Sequence, residues 1–183
     1  AAAAGPTTIR VKVFPGAQNL AHFVGISQGI FAKHDLKVEL EFTPNSDELR
    51  DGLASGAFEV AHAAVDNAVA MVEMAGKDVV IVTGGDSGMN EFFVQPDIGS
   101  AADLRGRTIV VDAPNTAYAL VAKKILKQNG LLEGRDYSLR VVGGTQARSA
   151  ALACDPVLAC SMGNPPFSFT VREKGVKSLG HAL

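Results

Sequence analysis

The sequence has no tryptophan, only two cysteines and no long hydrophobic run. No apolar stretch approaches the roughly 20 residues needed to cross a bilayer. Cys154 and Cys160 lie close together without neighbouring histidines, so this segment offers too few ligands for a metal site. The sequence leaves open whether the two thiols pair or stay free. Apolar content of 47%, charged content of 20% and net charge −2 are typical of a globular protein, and 183 residues can bury a sizeable core.

No signal peptide is visible at the start of the chain. Residues 1–4 are alanines and lack the basic start and the apolar region of such a peptide. The opening AAAAGPTT is compatible with a mature end left by Ala-x-Ala cleavage or with an artificial start. The sequence does not separate these alternatives.

Charge is unevenly distributed along the chain. Residues 32–91 contain 12 acidic and 4 basic side chains, whereas residues 102–183 contain 6 acidic and 11 basic ones. This asymmetry is compatible with two lobes that carry different surfaces, or with ordinary surface variation. No run of lysine and arginine with interleaved aromatics occurs, which argues against a nucleic-acid partner.

The first half of the chain alternates between strand and helix patterns. Four β-rich runs predict strands: TIRVKVF (8–14), KVELEFT (37–43), EVAHAAV (59–65) and DVVIVTGG (78–85). Helix patterns with short connections separate them, which predicts a parallel sheet flanked by helices. The strand-to-helix junctions carry small polar residues, namely Gln18 with Asn19, Asn45 with Ser46, and Asp66 with Asn67. Such junctions line the crevice at the carboxyl ends of parallel strands, although each residue also fits a simple helix cap.

A stretch without periodicity, residues 84–106, predicts a crossover between two lobes. It holds the candidate ligand residues Asp86 and Asn90, and Ser100 with Asp103 fits a capping-box variant. The β-α alternation restarts at RTIVVD (107–112). We therefore predict a first lobe over 7–95, a second lobe over 96–183 and a hinge around 84–106. A cleft between two such lobes is where a ligand prefers to bind.

Two loops of the second half repeat the strand-to-helix arrangement. A helix is predicted over 116–129, and its unpaired N–H groups and dipole favour an anionic or strongly accepting ligand group. Asn115 and Thr116 stand at its start, while Gly143, Gly144 and Thr145 stand at the start of the next helix. Either loop is also explained by capping or turn formation alone. The full set of candidate ligand-binding residues is Gln18, Asn19, Ser46, Asp66, Asn67, Asp86, Asn90, Asn115, Thr116, Gly144, Thr145 and Asn164.

The segment GIFAKHDLKVELEFTPNSDELRDGLASGAFEVAHAAVDNAVAM resembles the first lobe of a known family. That family is the solute-binding proteins of ABC transporters of the sulfonate, nitrate, taurine and pyrimidine-precursor type. DLRGRTIVVDAPNTAYALVAKKIL is similar to the start of the family's second lobe, and MGNPPFSFTVREKGVKSLG to its later Pro-Pro segment. The resemblance covers nearly the whole chain, although members are usually longer.

The resemblance implies a two-lobed, type II periplasmic-binding-protein-like α/β fold. In that fold each lobe is a mainly parallel sheet flanked by helices, and the C-terminal return to the first lobe is expected to be missing here. It also implies an extracytoplasmic monomer that passes a small polar or aromatic solute to a membrane permease, without a cofactor or a metal. Asp66 would repel a purely anionic ligand, which favours a solute with a donor-bearing ring or an amine.

The alternative function is a metabolic enzyme of the same fold, of the pyrimidine-synthesis or menaquinone-pathway type. Catalysis needs a nucleophile, a base or a metal within reach of one another. The sequence holds no Gly-x-Ser-x-Gly, His-Glu-x-x-His or phosphate-loop motif. Three further side chains are considered as ligand contacts. His62 is expected in the core and Arg148 on a solvated helix face. Tyr118 is expected either to stack on a ligand ring or to pack between lobes.

Overall fold

The chain divides into two compact units in a computed structural model, residues 1–79 and residues 80–183. The structure describes residues 5–85 and 90–181. The first unit alternates strands and helices: β1 (Thr7–Val13), α1 (Leu20–Ser27), β2 (Leu36–Phe42), α2 (Ser46–Ser55), β3 (Val60–His62) and α3 (Val65–Glu73). Within the described residues, no helix has both the length and the apolar content needed to cross a membrane.

The sheet of the first unit is parallel, with strand order β2-β1-β3. Val13, at the end of β1, lies opposite Phe42 of β2 and His62 of β3. The three strands therefore end side by side. Because each strand leads towards a helix, the polar residues of all three junctions come to one edge of this sheet.

The core of the first unit is small. Five buried apolar side chains form it: Val11, Val13, Leu49, Phe58 and Met71. By contrast, one face of α1 and one face of α3 are apolar and exposed, at positions with helical spacing: Leu20, Phe23 and Val24 on α1, and Val65, Val69 and Val72 on α3.

The second unit contains β4 (Glu91–Val94), β5 (Thr108–Val111), α4 (Ala117–Gln128), β6 (Ser138–Val141), α5 (Thr145–Cys154), β7 (Leu158–Gly163), α6 (Phe167–Glu173) and β8 (Lys177–His181). Its strands form a five-stranded mixed sheet of order β6-β5-β7-β4-β8. β5 is parallel to β6 and β7, whereas β4 is antiparallel to β7 and β8. One apolar cluster includes Phe92, Ile109 and Leu126, and a second includes Phe93 and Val110.

Several predicted elements are confirmed. The α/β class with parallel pairing holds in the first sheet and in β5 to β7. The helix predicted over 116–129 is α4, and the capping box of Ser100 and Asp103 closes the short helix Ala101–Leu104. Cys154 is exposed and Cys160 is buried, and both are free thiols. Burial raises the pKa of the Cys160 thiol.

The strand predicted over residues 78–85 is wrong. The structure has no strand there, and Val80, Ile81 and Val82 are 62–78% exposed. An apolar run becomes a strand only where a neighbouring strand pairs with it, and none does so here.

The two compact units divide after Val79, and β4 at Glu91–Val94 pairs inside the second sheet. The predicted lobes over 7–95 and 96–183 stay predictions. β4 enters that sheet antiparallel to β7, a non-local pairing that the chain order does not reveal. β8 was not predicted. The hinge around residues 84–106 stays a prediction.

An ion pair ties β1 to the residue before β3. Arg10 donates its backbone N–H to Glu59 Oε2 at 2.7 Å, and its guanidinium binds the same carboxylate. The hydrogen bond from the Arg10 side chain is the largest cause that lowers the pKa of Glu59, from 4.5 to about 2. Because the folded-state pKa is depressed, the stabilisation is present above about pH 4.5 and is lost as pH falls towards 2.

We therefore expect Glu59→Gln to lower the melting temperature slightly at pH 7 and by much less at pH 2.5, since most of the stabilisation by the Glu59 carboxylate is lost as the pH approaches its folded-state pKa of about 2. Thermal melts across this range measure the difference. Glu41→Gln is the control, because Glu41 is exposed and its contact with Lys12 Nζ is long, at 3.5 Å. An equal effect of Glu59→Gln at both pH values would contradict the prediction.

Candidate functional site

Two amide side chains follow β1 and share one acceptor. The carbonyl of Phe14 accepts from Gln18 Nε2 at 3.0 Å and from Asn19 Nδ2 at 2.7 Å. Because a carbonyl only accepts, the NH₂ group of each amide must face it, which fixes the orientation of both amides. Gln18 Oε1 and Asn19 Oδ1 are left buried without a partner. Asn19 is the N-cap residue of α1, as its position in the sequence suggested, but its side chain makes no capping hydrogen bond.

The imidazole rings of two histidines of the first unit lie next to each other. The ring centroids of His22 on α1 and His62 at the end of β3 are 4.9 Å apart, with the rings tilted by 50°. Both Nδ1 atoms are buried without a hydrogen-bond partner. Burial first, and the His62 ring second, lower the pKa of His22. Sequence reasoning did not select His22, and it placed His62 in the core, where neither nitrogen would be left unpartnered.

Arg50 of α2 connects the polar residues that follow β3. Its Nε donates to Asn67 Oδ1 at 2.8 Å, and its Nη2 lies 3.6 Å from Asp66 Oδ2. The Asp66 carboxylate therefore faces a cation of the same unit. The repulsion of an anionic ligand, expected from Asp66 alone, is reduced by this pairing. Ser46 is buried at the start of α2, but Asn45 caps that helix by accepting from the Glu48 N–H at 2.8 Å.

The loop between β5 and α4 is closed by a side-chain hydrogen bond. Thr116 is the N-cap residue of α4 and is buried, and its Oγ1 donates to Asp112 Oδ1 and lies 3.1 Å from the Ala113 carbonyl. Thr116 therefore does not cap the helix through its side chain. Asn115, a candidate ligand residue for which capping was the alternative, is exposed.

Arg148 of α5 is the largest fully buried side chain in the described part of the chain, at 2% exposure. Its Nε donates to Ser161 Oγ at 3.1 Å and its Nη1 to the Gly143 carbonyl at 2.7 Å. Its Nη2 donates to Thr145 Oγ1 at 3.0 Å and to the Met162 carbonyl at 3.3 Å. The prediction of a solvated helix face for Arg148 is wrong, because acceptors from the β6–α5 loop and from β7 satisfy the guanidinium inside the unit.

The guanidinium of Arg148 also borders the β5–α4 loop. Its Nη1 lies 4.0 Å from Asp112 Oδ1, and its central carbon lies 5.4 Å from the centre of the Tyr118 ring. Burial lowers the pKa of Arg148, and Asp112 opposes that effect. One arginine therefore holds together the loops that follow β5 and β6 and the end of β7.

Asn164 directly follows β7 and is also buried. Its Nδ2 lies 3.4 Å from Tyr118 Oη, while its Oδ1 has no partner. Ser168 in α6, whose N–H donates to the Asn164 carbonyl at 3.1 Å, likewise has a buried hydroxyl without a partner. Unpaired buried polar atoms are uncommon in folded proteins and call for an explanation such as a bound ligand or ordered water.

The structure thus brings the predicted residues together in three groups, taking each unit by itself. Gln18 and Asn19 share the Phe14 carbonyl; Asp66 and Asn67 share Arg50; Thr116, Thr145 and Asn164 are linked through Arg148 and Tyr118, with Gly144 as the N-cap residue of α5. Asn90 is half-buried just before β4, and Asp86 lies outside the described residues. In the described ranges, no three His, Cys, Asp or Glu side chains cluster as a metal site.

Solved structures match the chain along almost its entire length. The alkanesulfonate-binding protein SsuA from Xanthomonas axonopodis pv. citri, bound to MOPS, is 19% identical, with a TM-score of 0.75 over 98% of this chain and 62% of that one. The periplasmic nitrate-binding protein NrtA from Synechocystis PCC 6803 is 16% identical, with a TM-score of 0.81 over 94% of this chain and 51% of that one. These likenesses show a periplasmic-binding-protein fold.

A third match is PhnD1 from Prochlorococcus marinus (MIT 9301) in complex with methylphosphonate. It is 12% identical, with a TM-score of 0.71 over 97% of this chain and 73% of that one. The chain therefore spans about half to three quarters of the length of these three structures. No curated protein matches the sequence.

Residues 26–168 match the family model of ABC transporter, phosphonate, periplasmic substrate-binding proteins, and the chain belongs to that family. The resemblance to solute-binding proteins of ABC transporters predicted from the sequence is thereby confirmed. The family consists of binding proteins rather than enzymes, and nothing favours the enzyme alternative.

Proposed function

We propose that the chain is the solute-binding component of an ABC importer and captures a small sulfonate, phosphonate or nitrate-like solute. The observation that carries this proposal is the family match over residues 26–168. An extracytoplasmic location, a membrane permease as partner and a monomeric state belong to the same proposal. So does the function of the twelve predicted ligand residues.

The second unit supports the anion-binding part of this proposal. Helices α4 and α5 both begin at loops that contact Arg148, and the amino end of a helix carries a partial positive charge. The buried guanidinium adds a full positive charge close to both helix starts, within a region shielded from water. A sulfonate, phosphonate or nitrate group is the kind of ligand that such a field attracts.

Arg148 has a structural part in this arrangement. The guanidinium donates four hydrogen bonds to other groups of the protein, so it fixes the surrounding loops. Its positive charge then acts on a ligand without direct contact. Direct hydrogen bonds to the solute are then left to other groups. Asn164 fits that function for a solute group that donates, such as the ammonium of taurine or the OH of a singly protonated phosphonate, since its Oδ1 is buried, has no partner within the unit and can only accept.

Isothermal titration and thermal-shift measurements test the proposal. The panel is methylphosphonate, ethanesulfonate, taurine and nitrate, and we expect at least one to raise the melting temperature. Asn164→Ala should weaken the binding of a donor-bearing solute, taurine or methylphosphonate, about tenfold, because one hydrogen bond to Oδ1 is worth about 1.4 kcal/mol. Asn129→Ala is the matched control: Asn129 lies at the opposite end of α4 and donates to the Ile125 carbonyl at 2.8 Å.

Two results would overturn this function. The first is the absence of any melting shift with all members of the panel, together with no measurable heat of binding. The second is turnover of a candidate solute by the purified chain, which would favour the enzyme alternative. Equal losses in Asn164→Ala and Asn129→Ala would keep the function and remove Asn164 from the site.

A further inference from the structure

We propose that His22 and His62 form a site for one divalent transition-metal ion, such as Zn²⁺ or Ni²⁺, at the carboxyl edge of the sheet in the first unit. The two histidines belong to the first unit, whereas Arg148 and Asn164 belong to the second. The metal site does not depend on the proposed transport function. Imidazole nitrogens are the side-chain ligands that zinc, copper and nickel prefer.

The ring geometry fits two ligands of one ion. A Zn–N bond is about 2.0–2.1 Å long and the ring centre lies about 1.1 Å behind the nitrogen, so two imidazoles on a tetrahedral ion have centres about 5 Å apart. The centres of His22 and His62 are 4.9 Å apart. The 50° tilt between the rings rules out flat stacking as the reason for their contact.

Both rings also retain unused donor atoms. The Nδ1 atoms of His22 and His62 are buried and have no hydrogen-bond partner. A buried nitrogen without any partner is unfavourable, and a metal ion bound to Nδ1 would remove this cost at both rings.

Two amide oxygens in the same part of the unit add to this acceptor-rich region. Asn19 precedes His22 by three residues where a short helix runs into α1, a spacing that brings side chains to one face. His62 lies opposite Val13, the residue before Phe14, whose carbonyl fixes the amides of Gln18 and Asn19. The unpartnered oxygens Gln18 Oε1 and Asn19 Oδ1 are thus acceptors as well. A cation bound by the two imidazole rings would supply a partner to both buried Nδ1 atoms.

Titration of the metal-free chain with ZnCl₂ and NiCl₂ in a non-chelating buffer tests the site. We expect one ion per chain, a rise in melting temperature, and no response to Mg²⁺ or Ca²⁺, which prefer oxygen ligands. His22→Ala and His62→Ala should each weaken binding at least tenfold. His34→Ala is the matched control, since His34 is an exposed histidine of the same unit.

A spectroscopic measurement separates ligation from a general structural effect. Cu²⁺ bound to the wild-type chain should show nitrogen couplings from two imidazoles in its electron paramagnetic resonance spectrum, and from one in His22→Gln. His22→Gln keeps a side chain of similar size, so it serves as the test variant if His22→Ala does not fold. The site is overturned if no ion binds, if His34→Ala loses affinity equally, or if folded His22 and His62 variants bind as the wild type does.

Discussion

Replacing Arg148 with methionine is expected to lower the free energy of unfolding by about 3–5 kcal/mol. Methionine fills a similar space but leaves the Gly143 carbonyl and the Ser161 hydroxyl without the guanidinium donor that they now have. It also leaves the nearby Asp112 carboxylate, 4.0 Å from the guanidinium, without that cation. A buried pair that loses one partner is destabilised much more than an exposed pair.

Urea denaturation monitored by circular dichroism measures this loss. Arg140→Met is the matched control, because Arg140 lies on β6, is exposed, and contacts Asp155 at 3.4 Å. We expect that control to change stability by less than about 1 kcal/mol, the usual worth of a surface ion pair. Arg148→Lys should fall between the two, since one ammonium cannot reproduce the planar fork of a guanidinium. Arg148→Met as stable as the control would contradict the structural function assigned to Arg148.

Phe93→Ala is expected to destabilise the chain by about 3–5 kcal/mol, the usual effect of truncating a buried phenylalanine. Phe93 on β4 is 2% exposed and packs in the cluster with Val110 and Leu152. A Cβ added at Gly163 would lie 2.9 Å from its ring, so the ring lies directly against the backbone at the end of β7. Alanine would leave a cavity that these rigid neighbours cannot close.

The same denaturation experiment measures this loss, and an exposed phenylalanine provides the control. Phe169 of α6 is 59% exposed, so Phe169→Ala should cost less than about 1 kcal/mol. A small loss for Phe93→Ala would mean that the strand β4 is not packed as the structure has it. Comparable losses for the two variants would lead to the same conclusion.

Local signals in the sequence predicted most of the secondary structure. The helix α4 begins one residue after its predicted start and ends one residue before its predicted end, and the capping box at Ser100 is present. These features depend on hydrophobic periodicity and on contacts between residues close in the chain. The run over 78–85 has equally strong β propensity but finds no neighbouring strand, so its local signal misled. The pairings of β4 with β7 and β8 are non-local, and no local pattern contained them.

The candidate site was predicted less well than the fold. The rule that polar residues gather where parallel strands end selected Asn19, Thr116 and Asn164, which are all buried there. Their partners were not predictable, because each depends on atoms from another loop. Arg148 shows this best: an arginine one turn into a helix is normally solvated, and only acceptors from distant strands make its burial favourable. His22 was missed for the same reason, since its partner is forty residues away in the sequence.

The position of β4 in its sheet has a consequence for how the chain acquires its structure during synthesis. β4 emerges from the ribosome before either of the strands that flank it, since β7 begins at Leu158 and β8 ends at His181. The strand that carries Phe92 and Phe93 therefore has no neighbouring strand to pair with until β7 and then β8 have been synthesised. Such non-local strand pairing slows folding. Until it occurs, the exposed apolar strand can bind chaperones or associate with other nascent chains.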